Sequence, residues 1–498
     1  MSSLTDSKTN EVFSRVDSGF KHRLANFYSG DTLRFCYQCG TCTAACCLSQ
    51  LISVYRPNKI LELASLGIRN IPQSNTYLLC SACTQCTKSC PQGVNVHEVM
   101  YALKELASED EYAWDYILSG LEENLKALSL EIPFPVSYTW VSLVAPSDDE
   151  KKNRFYERVK DVLLRSLANF KKEEKLSPKP DADKVAIIGS GPAGLTAAWE
   201  LSRKGLSVTV FEPLPEAGGM FMVGIPFYRL PKDVVKAEID NIKAMGVDIK
   251  TNTAVDKEFF KNLLDSGEYK SVFVATGAPA NRNLRIEGEN LEGVVPVLDF
   301  LRKFNLNEPM KVGKKVVVIG GGNVGIDAAR TAIRCGAESV QLFCLESREE
   351  MPSHEWEIQD AIREGVVVNT SWGPKEILGE DNKVSTVKFI RCKSVFDENK
   401  RFKPVFDESK TETAEADMVI IAIGQAPSTE FLGKMVALER GAVSVDPQTM
   451  KTSLEGVFAG GDTVSGTASL VEAIAAGRVA SASIISYLED SRKEGDAL

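Results

Sequence analysis

Histidine is almost missing from this chain: His22, His97 and His354 are the only three in 498 residues, and no two of them stand at a ligand-like spacing. Each reads as a surface or helix-end residue rather than a catalytic one. Positive charge is in deficit, with 58 Lys and Arg against 68 Asp and Glu and a net charge of −10. That balance argues against nucleic acid or an anionic membrane surface as a partner. No uninterrupted apolar run reaches the roughly eighteen residues that span a bilayer, and Met1 to Arg23 has no apolar signal segment. The expectation is a cytoplasmic protein without membrane insertion. Cysteine is scarce over most of the chain, since only Cys335, Cys344 and Cys392 follow Cys90, and these scattered thiols read as packing residues.

What is present is crowded: nine of the twelve cysteines fall between Cys36 and Cys90. Cys36, Cys39, Cys42 and Cys46 follow C-x2-C-x2-C-x3-C, and Cys80, Cys83, Cys86 and Cys90 repeat it, with Pro91 after the last. Three thiolates at intervals of three wrap one corner of a cubane cluster, and the fourth commonly ligates the other cluster in two-cluster ferredoxins. The expectation is two [4Fe-4S] clusters, one on Cys36, Cys39, Cys42 and Cys90, the other on Cys80, Cys83, Cys86 and Cys46. Zinc has no use for a third evenly spaced thiolate in each ladder. Cys47 stands where such ladders often carry proline, and reads as a buried or spare thiol.

The length suggests about three units of roughly 150 residues. Val99, Leu103 and Leu106, then Ile117, Leu121, Leu125 and Leu128, recur at helical spacing, so the cysteine region extends into an all-helical unit. Lys171 to Lys184 is charged, proline-bearing and aperiodic, as a linker is. Beyond it, β-rich runs feed glycine turns at Val185–Gly189, Ser271–Gly277, Lys315–Gly320, Asp417–Gly424 and Gly456–Gly461, the pattern of doubly wound parallel sheets. Lys383 to Arg391 reads as a hairpin strand. The expected fold is multidomain: an N-terminal all-α, ferredoxin-like two-cluster domain (1–175), a linker (176–183), and two α/β Rossmann-type domains. Two such glycine starts, near Gly189 and Gly320, place one of these domains at 184–310 with 415–498 and the other at 311–414.

The turn Gly189-Ser190-Gly191-Pro192-Ala193-Gly194 is G-x-G-x-x-G between a strand and a helix, which lets backbone approach a pyrophosphate at a helix N-terminus. Glu212 ends the next strand, where a carboxylate accepts both ribose hydroxyl protons. Near the C-terminus, Gly460, Gly461 and Asp462 precede T-A-S-L-V-E-A-I-A-A-G-R, an apparent helix start that looks like the second FAD motif of two-dinucleotide-domain flavoproteins.

Residues 184 to about 490 resemble the small subunit of glutamate synthase and the similar module of dihydropyrimidine dehydrogenase. The resemblance runs through E-A-G-G-M-F-M-V-G-I-P-F-Y-R-L-P, V-A-T-G, V-I-G-G-G-N and R-E-E-M-P. It implies FAD contacts from Gly218, Gly219, Met220, Arg229, Val255, Thr276, Gly277 and Asp462, with the strand-end Gly424 also at a cofactor. The ladders and the C-Y-Q-C-G-T-C-T opening resemble instead the C-type iron–sulfur subunit of heterodisulfide reductase.

The second turn, Gly320-Gly321-Gly322-Asn323-Val324-Gly325, has the dinucleotide spacing, and the resemblance implies that its NAD(H)-binding domain (311–414) is inserted into the FAD-binding domain (184–310 and 415–498) and presents nicotinamide to the flavin. Leu345 and Glu346 end the next strand, where NADPH-using relatives carry arginines; a carboxylate there favours NADH over NADPH. No acid or base is needed for direct hydride transfer. A disulfide-reducing chemistry would want cysteines against the flavin, and Gly218 to Pro231 holds none. The reading is an NADH-dependent iron–sulfur flavoprotein that exchanges single electrons with a protein subunit in a hetero-oligomer. Two alternatives stand beside it: a glutamate synthase small subunit, and an electron relay with a vestigial nucleotide site.

Overall fold

The computed structural model describes residues 19–26, 30–51, 55–68, 72–80, 82–109, 114–129, 150–173, 178 and 181–496. Residues 1–18, which hold most of the polar N-terminal stretch, and several positions of the expected linker lie outside this set.

Up to Glu173 the described residues form helices and 3-10 turns without a named strand. The amphipathic spacing around Val99 and Leu103 becomes the helix Val96–Glu109, whose Val96, Val99, Met100, Leu103 and Leu106 are buried. Trp114–Ser129 and Glu150–Glu173 follow, and these two helices pack on each other. The second of them runs through Lys171 to Glu173, so the charged stretch that reads as linker begins as helix.

Two five-stranded parallel sheets form the rest. Apolar, β-branched runs such as Val185-Ala186-Ile187-Ile188 are buried on both faces, as parallel strands require. The first sheet has the order Val457–Ala459, Ser271–Val274, Lys184–Ile188, Ser207–Phe211, Asp248–Lys250. The second has the order Val294–Pro296, Met418–Ile421, Lys315–Ile319, Ser339–Phe343, Val367–Asn369. The second sheet thus overruns 311–414 at both ends. Val419 and Ile420 pair with Val294 and Val295 on one side and with Val317 and Val318 on the other. A run this apolar belongs in a sheet interior, which is why Asp417–Gly424 closes the second domain rather than reopening the first. A three-stranded antiparallel sheet, Trp372–Glu380, Lys383–Phe396 and Phe402–Glu415, covers it, with Phe389 stacked on Phe343 at 3.8 Å.

The helical region is not set apart by a linker. One continuous apolar core runs from Phe20 and Leu24 through Cys46, Val99, Val159 and Leu163 to Trp199, Phe221, Ile484 and Leu488. Helix Glu150–Glu173 packs on helix Lys232–Ala244, where Asn241 Nδ2 donates to the Leu167 carbonyl at 3.1 Å and Lys160 pairs with Asp233 at 2.8 Å. The last helix, Leu470–Asp496, is long and apolar enough over Leu470–Lys493 to cross a membrane by composition. Its Val471, Ile474, Ala480, Ile484 and Leu488 are buried in this same core, against helix Pro192–Arg203.

Candidate functional site

A cleft of about 300 Å³ opens where the first sheet ends. Gly189, Ser190, Gly191, Pro192 and Ala193 form one wall, Glu212, Gly219, Met220 and Val255 a second, and Thr276, Gly277, Gly461 and Asp462 a third. Gly194 lies behind the wall, where a Cβ would stand 2.0 Å from the Gly189 carbonyl oxygen; a Cβ on Gly191 would meet nothing within 4 Å. Close packing at one glycine and open space at the other is what a dinucleotide needs at a helix start. Glu212 is buried, its Oε2 accepting from Ser190 N at 3.0 Å and its Oε1 from Leu214 N at 2.9 Å. Gly218 sits just outside, its N–H donating to Ser190 Oγ at 3.0 Å. Burial pushes the Asp462 carboxyl up to about 6. Its Oδ1 accepts from Ala468 N at 3.3 Å, a modest compensation for a buried carboxylate facing a cleft, and hydroxyls of a ribityl chain would supply what is missing. Ser469, Leu470 and Ala473 also line the cleft, so the start of the last helix faces it. These residues suit FAD.

Arg229, implied as a flavin contact, lies elsewhere. Its guanidinium is buried between the nucleotide-turn helix and its neighbour, donating to Asp327 Oδ1 at 2.6 Å and to Glu357 Oε1. A buried cation is held where carboxylates neutralise it, and here both belong to the second domain.

The second glycine turn repeats the first. A Cβ on Gly325 would stand 2.3 Å from the Gly320 carbonyl oxygen, and one on Gly322 would meet nothing within 4 Å. Glu346 reaches this turn, since its Oε2 lies 3.4 Å from the position of a Cβ on Gly321. Burial raises its carboxyl above the usual range. Leu345 turns away toward Gly373, and Arg348 is engaged by Glu355 at 2.7 Å. Val324 packs on the domain core, Asn323 Oδ1 accepts from His354 N at 3.2 Å, and Gly424 abuts Arg282.

The cysteines gather in two groups. Cys36, Cys39, Cys42 and Cys90 line one small cavity together with Tyr37, Gly40 and Pro91. The thiol of Cys86 is pushed up first by burial and then by the nearby Cys80, Cys83 and Cys46, while Cys46, raised to about 11 by burial, feels Cys80 and Cys83. The fourth cysteine of each ladder thus lies with the first three of the other. Both ladders make the same turn: Gln38 and Gly40 in the first, Ala82 and Thr84 in the second, have φ between 54° and 81°. Side chains rarely accept this left-handed backbone, and here it curls a loop around a common centre. Backbone N–H groups of Ala82 and Val94 point at the sulfurs of Cys80 and Cys90, at 3.5 and 3.4 Å, as they do around iron–sulfur clusters. Among the described residues no three His, Cys, Asp or Glu side chains form a set that would grip a single ion. Cys47 stands beside Cys83, its thiol hydrogen-bonded to that sulfur. The buried Lys104 donates to the Cys80 carbonyl at 2.7 Å, a cation next to the second group that the sequence did not single out.

His97 and His354 both stand at helix starts, as expected, but half-buried rather than on the open surface. Burial holds both imidazoles down at about 4, and their rings lie 5.8 Å apart between the cysteine region and the second domain.

Residues 183–477 match the pyridine nucleotide-disulphide oxidoreductase family, and residues 35–95 the 4Fe-4S dicluster domain. The chain belongs to the pyridine nucleotide-disulphide oxidoreductase family. It is 44% identical over 320 residues to the beta subunit of NADP(+)-dependent formate dehydrogenase from Moorella thermoacetica, covering 63% of this chain and 45% of that one. It is 33% identical over 450 residues to NADPH-Fe(3+) oxidoreductase subunit beta from Geobacter sulfurreducens, covering 82% and 64%. The glutamate synthase [NADPH] small chain of Escherichia coli is 34% identical over 330 residues, covering 62% and 70%. The chain therefore spans about half to two-thirds of the length of the first two relatives. It shares its fold with FprA of Mycobacterium tuberculosis in complex with NADPH, at a TM-score of 0.54 and 18% identity over 63% of this chain and 86% of that one. With 70% of the Escherichia coli protein covered, the chain also belongs with the glutamate synthase small chains, and it carries the dicluster-type region 35–95 besides.

Proposed function

We propose that this chain is the nicotinamide-nucleotide subunit of a larger cytoplasmic complex, using NADH, one FAD and two [4Fe-4S] clusters to exchange electrons with a partner protein. FAD bound in the cleft supplies the conversion between a two-electron hydride and single electrons. Glu212 would hold the adenosine ribose, Asp462 the ribityl chain, and the start of helix Leu470–Asp496 the flavin ring. Cys36, Cys39, Cys42 and Cys90 would hold one cluster, and Cys46, Cys80, Cys83 and Cys86 the other. Glu346 would accept hydrogen bonds from the free ribose hydroxyls of NADH and would repel a 2′-phosphate. The relatives carry NADP(H) in their names, so nucleotide choice is where this reading departs from them.

The observation that carries the reading is the contact between cysteine group and cleft. Gln85 lies between Cys83 and Cys86, and its Nε2 donates at 3.0 Å to Oε1 of Glu472, on the first turn of the helix that lines the cleft. The residues that would hold the second cluster and those that would hold the flavin therefore adjoin. Anaerobic reconstitution tests the proposal: about eight irons and eight sulfides per chain, with NADH-driven dye reduction, are expected. Cofactor-replete protein that reduces no dye with either nucleotide would mark a relay with a vestigial site. A glutamate synthase small chain, favoured by the 34% identity, would instead form a complex with a large amidotransferase subunit.

A further inference from the structure

The nucleotide turn of the second domain is joined to the iron–sulfur region by a continuous set of contacts through the start of helix Glu355–Arg363. On the turn side, Ser353 Oγ donates to the Gly321 carbonyl and His354 N donates to Asn323 Oδ1 at 3.2 Å. The His354 ring stacks on Trp356 at 4.2 Å and 8°. Trp356 in turn stacks on Tyr101 of helix Val96–Glu109, at 4.6 Å and 15°. His97, one turn before Tyr101, faces both His354 and Trp356, at 5.8 and 5.9 Å. Its Nδ1 shares a hydrogen bond of 2.8 Å with Thr87 Oγ1, and Thr87 follows the ligand Cys86 directly. The FAD-binding domain meets the same short segment, because Arg229 pairs with Glu357. Tyr101 and Trp356 are each buried.

Surface contact between folded parts is ordinary, but here it falls on the two residues next to a binding turn. Trp356 stands outside the turn and stacks on His354, whose N–H holds the Asn323 side-chain oxygen, while the adjoining Ser353 hydroxyl holds the Gly321 carbonyl. We propose that the Tyr101–Trp356–His354–His97 stack is a positioning contact through which the iron–sulfur region sets the affinity of the second glycine turn for its nicotinamide nucleotide. The inference rests on the reading of that turn as the nucleotide site. Trp356 and Tyr101 are positioning residues, and the stack makes nucleotide affinity a property of the whole chain rather than of one Rossmann domain.

The test is calorimetric titration of NAD+ into full-length, FAD- and cluster-replete protein, with iron and flavin content measured for every variant. Tyr101→Leu, which keeps the apolar volume and lies in the iron–sulfur region, should weaken NAD+ binding about threefold to tenfold, the factor an aromatic pair supplies. Trp356→Leu should do the same, the double variant should lose no more than either single one, and Trp356→Phe should stay within about twofold of the parent. In dye reduction KM for NADH should rise with kcat unchanged. The inference is overturned if Tyr101→Leu binds NAD+ as the parent does, if the two losses add, or if iron and flavin fall in step with affinity. A parent protein that binds neither NAD+ nor NADP+ would instead overturn the reading of the turn itself.

Discussion

Gln85 and Glu472, 387 positions apart, share a hydrogen bond of 3.0 Å that joins the second cysteine ladder to the helix at the flavin cleft. Glu472 is fixed from its other side by Ser469, whose N–H and hydroxyl both donate to Oε2, at 2.9 and 2.7 Å. Two pieces of sequence with no motif in common thereby form one junction.

Cys47 and Cys83 are neighbours in space, yet only one belongs to a complete set of four thiols. Cys47→Ser should keep about eight irons per chain, whereas Cys83→Ser should drop the count toward four and change the low-temperature electron paramagnetic resonance spectrum of the reduced protein. Equal losses from both variants would refute the assignment of ligands.

Nucleotide preference tests Glu346. With its carboxylate at the Gly321 turn and Arg348 engaged by Glu355, catalytic efficiency should favour NADH over NADPH by about tenfold to a thousandfold. Leu345→Arg with Glu346→Arg should move the preference toward NADPH. Parity, or a preference for NADPH in the parent, would show that the 2′-phosphate finds a cation elsewhere.

Deleting residues 1–170 should not leave a soluble yellow module. The removed helices cover apolar groups of the flavin-side core, and Leu167 and Lys160 bond directly to Asn241 and Asp233. Expression of the truncated chain should give aggregated protein. A monodisperse, FAD-loaded fragment would show that the core divides more easily than its contacts suggest.

His97 and His354 give a pH dependence. Both are held at about 4 in the fold against the ordinary 6.5, so the unfolded chain takes up protons first as pH falls. The stability they contribute is complete above pH 6.5 and is lost as pH drops from 6.5 to 4, at up to about 1.4 kcal/mol per pH unit for each group. Melting temperature measured across that window should fall less steeply in His354→Gln than in the parent.

Much of the site can be read from the chain because its chemistry is local. Gly189 to Gly194 and Gly320 to Gly325 carry strand, turn and helix within a few residues, and each ladder carries its first three thiols on one short turn that runs into a helix. What the sequence hides is pairing at a distance. Trp356 looks like any amphipathic-helix aromatic until Tyr101 is found beneath it, and Arg229 looks like a cofactor ligand until Asp327 and Glu357 are found around it. The strand Phe402–Glu415 escapes notice for a different reason: most of it faces solvent, so it lacks the apolar alternation that marks a strand.

The interior that runs unbroken from Phe20 to Leu488 also governs how the molecule melts. Parts that share a core lose it together. On heating, the visible absorbance of flavin and of iron–sulfur clusters should therefore bleach over the same narrow span of temperature, leaving neither a brown fragment without flavin nor a yellow one without iron.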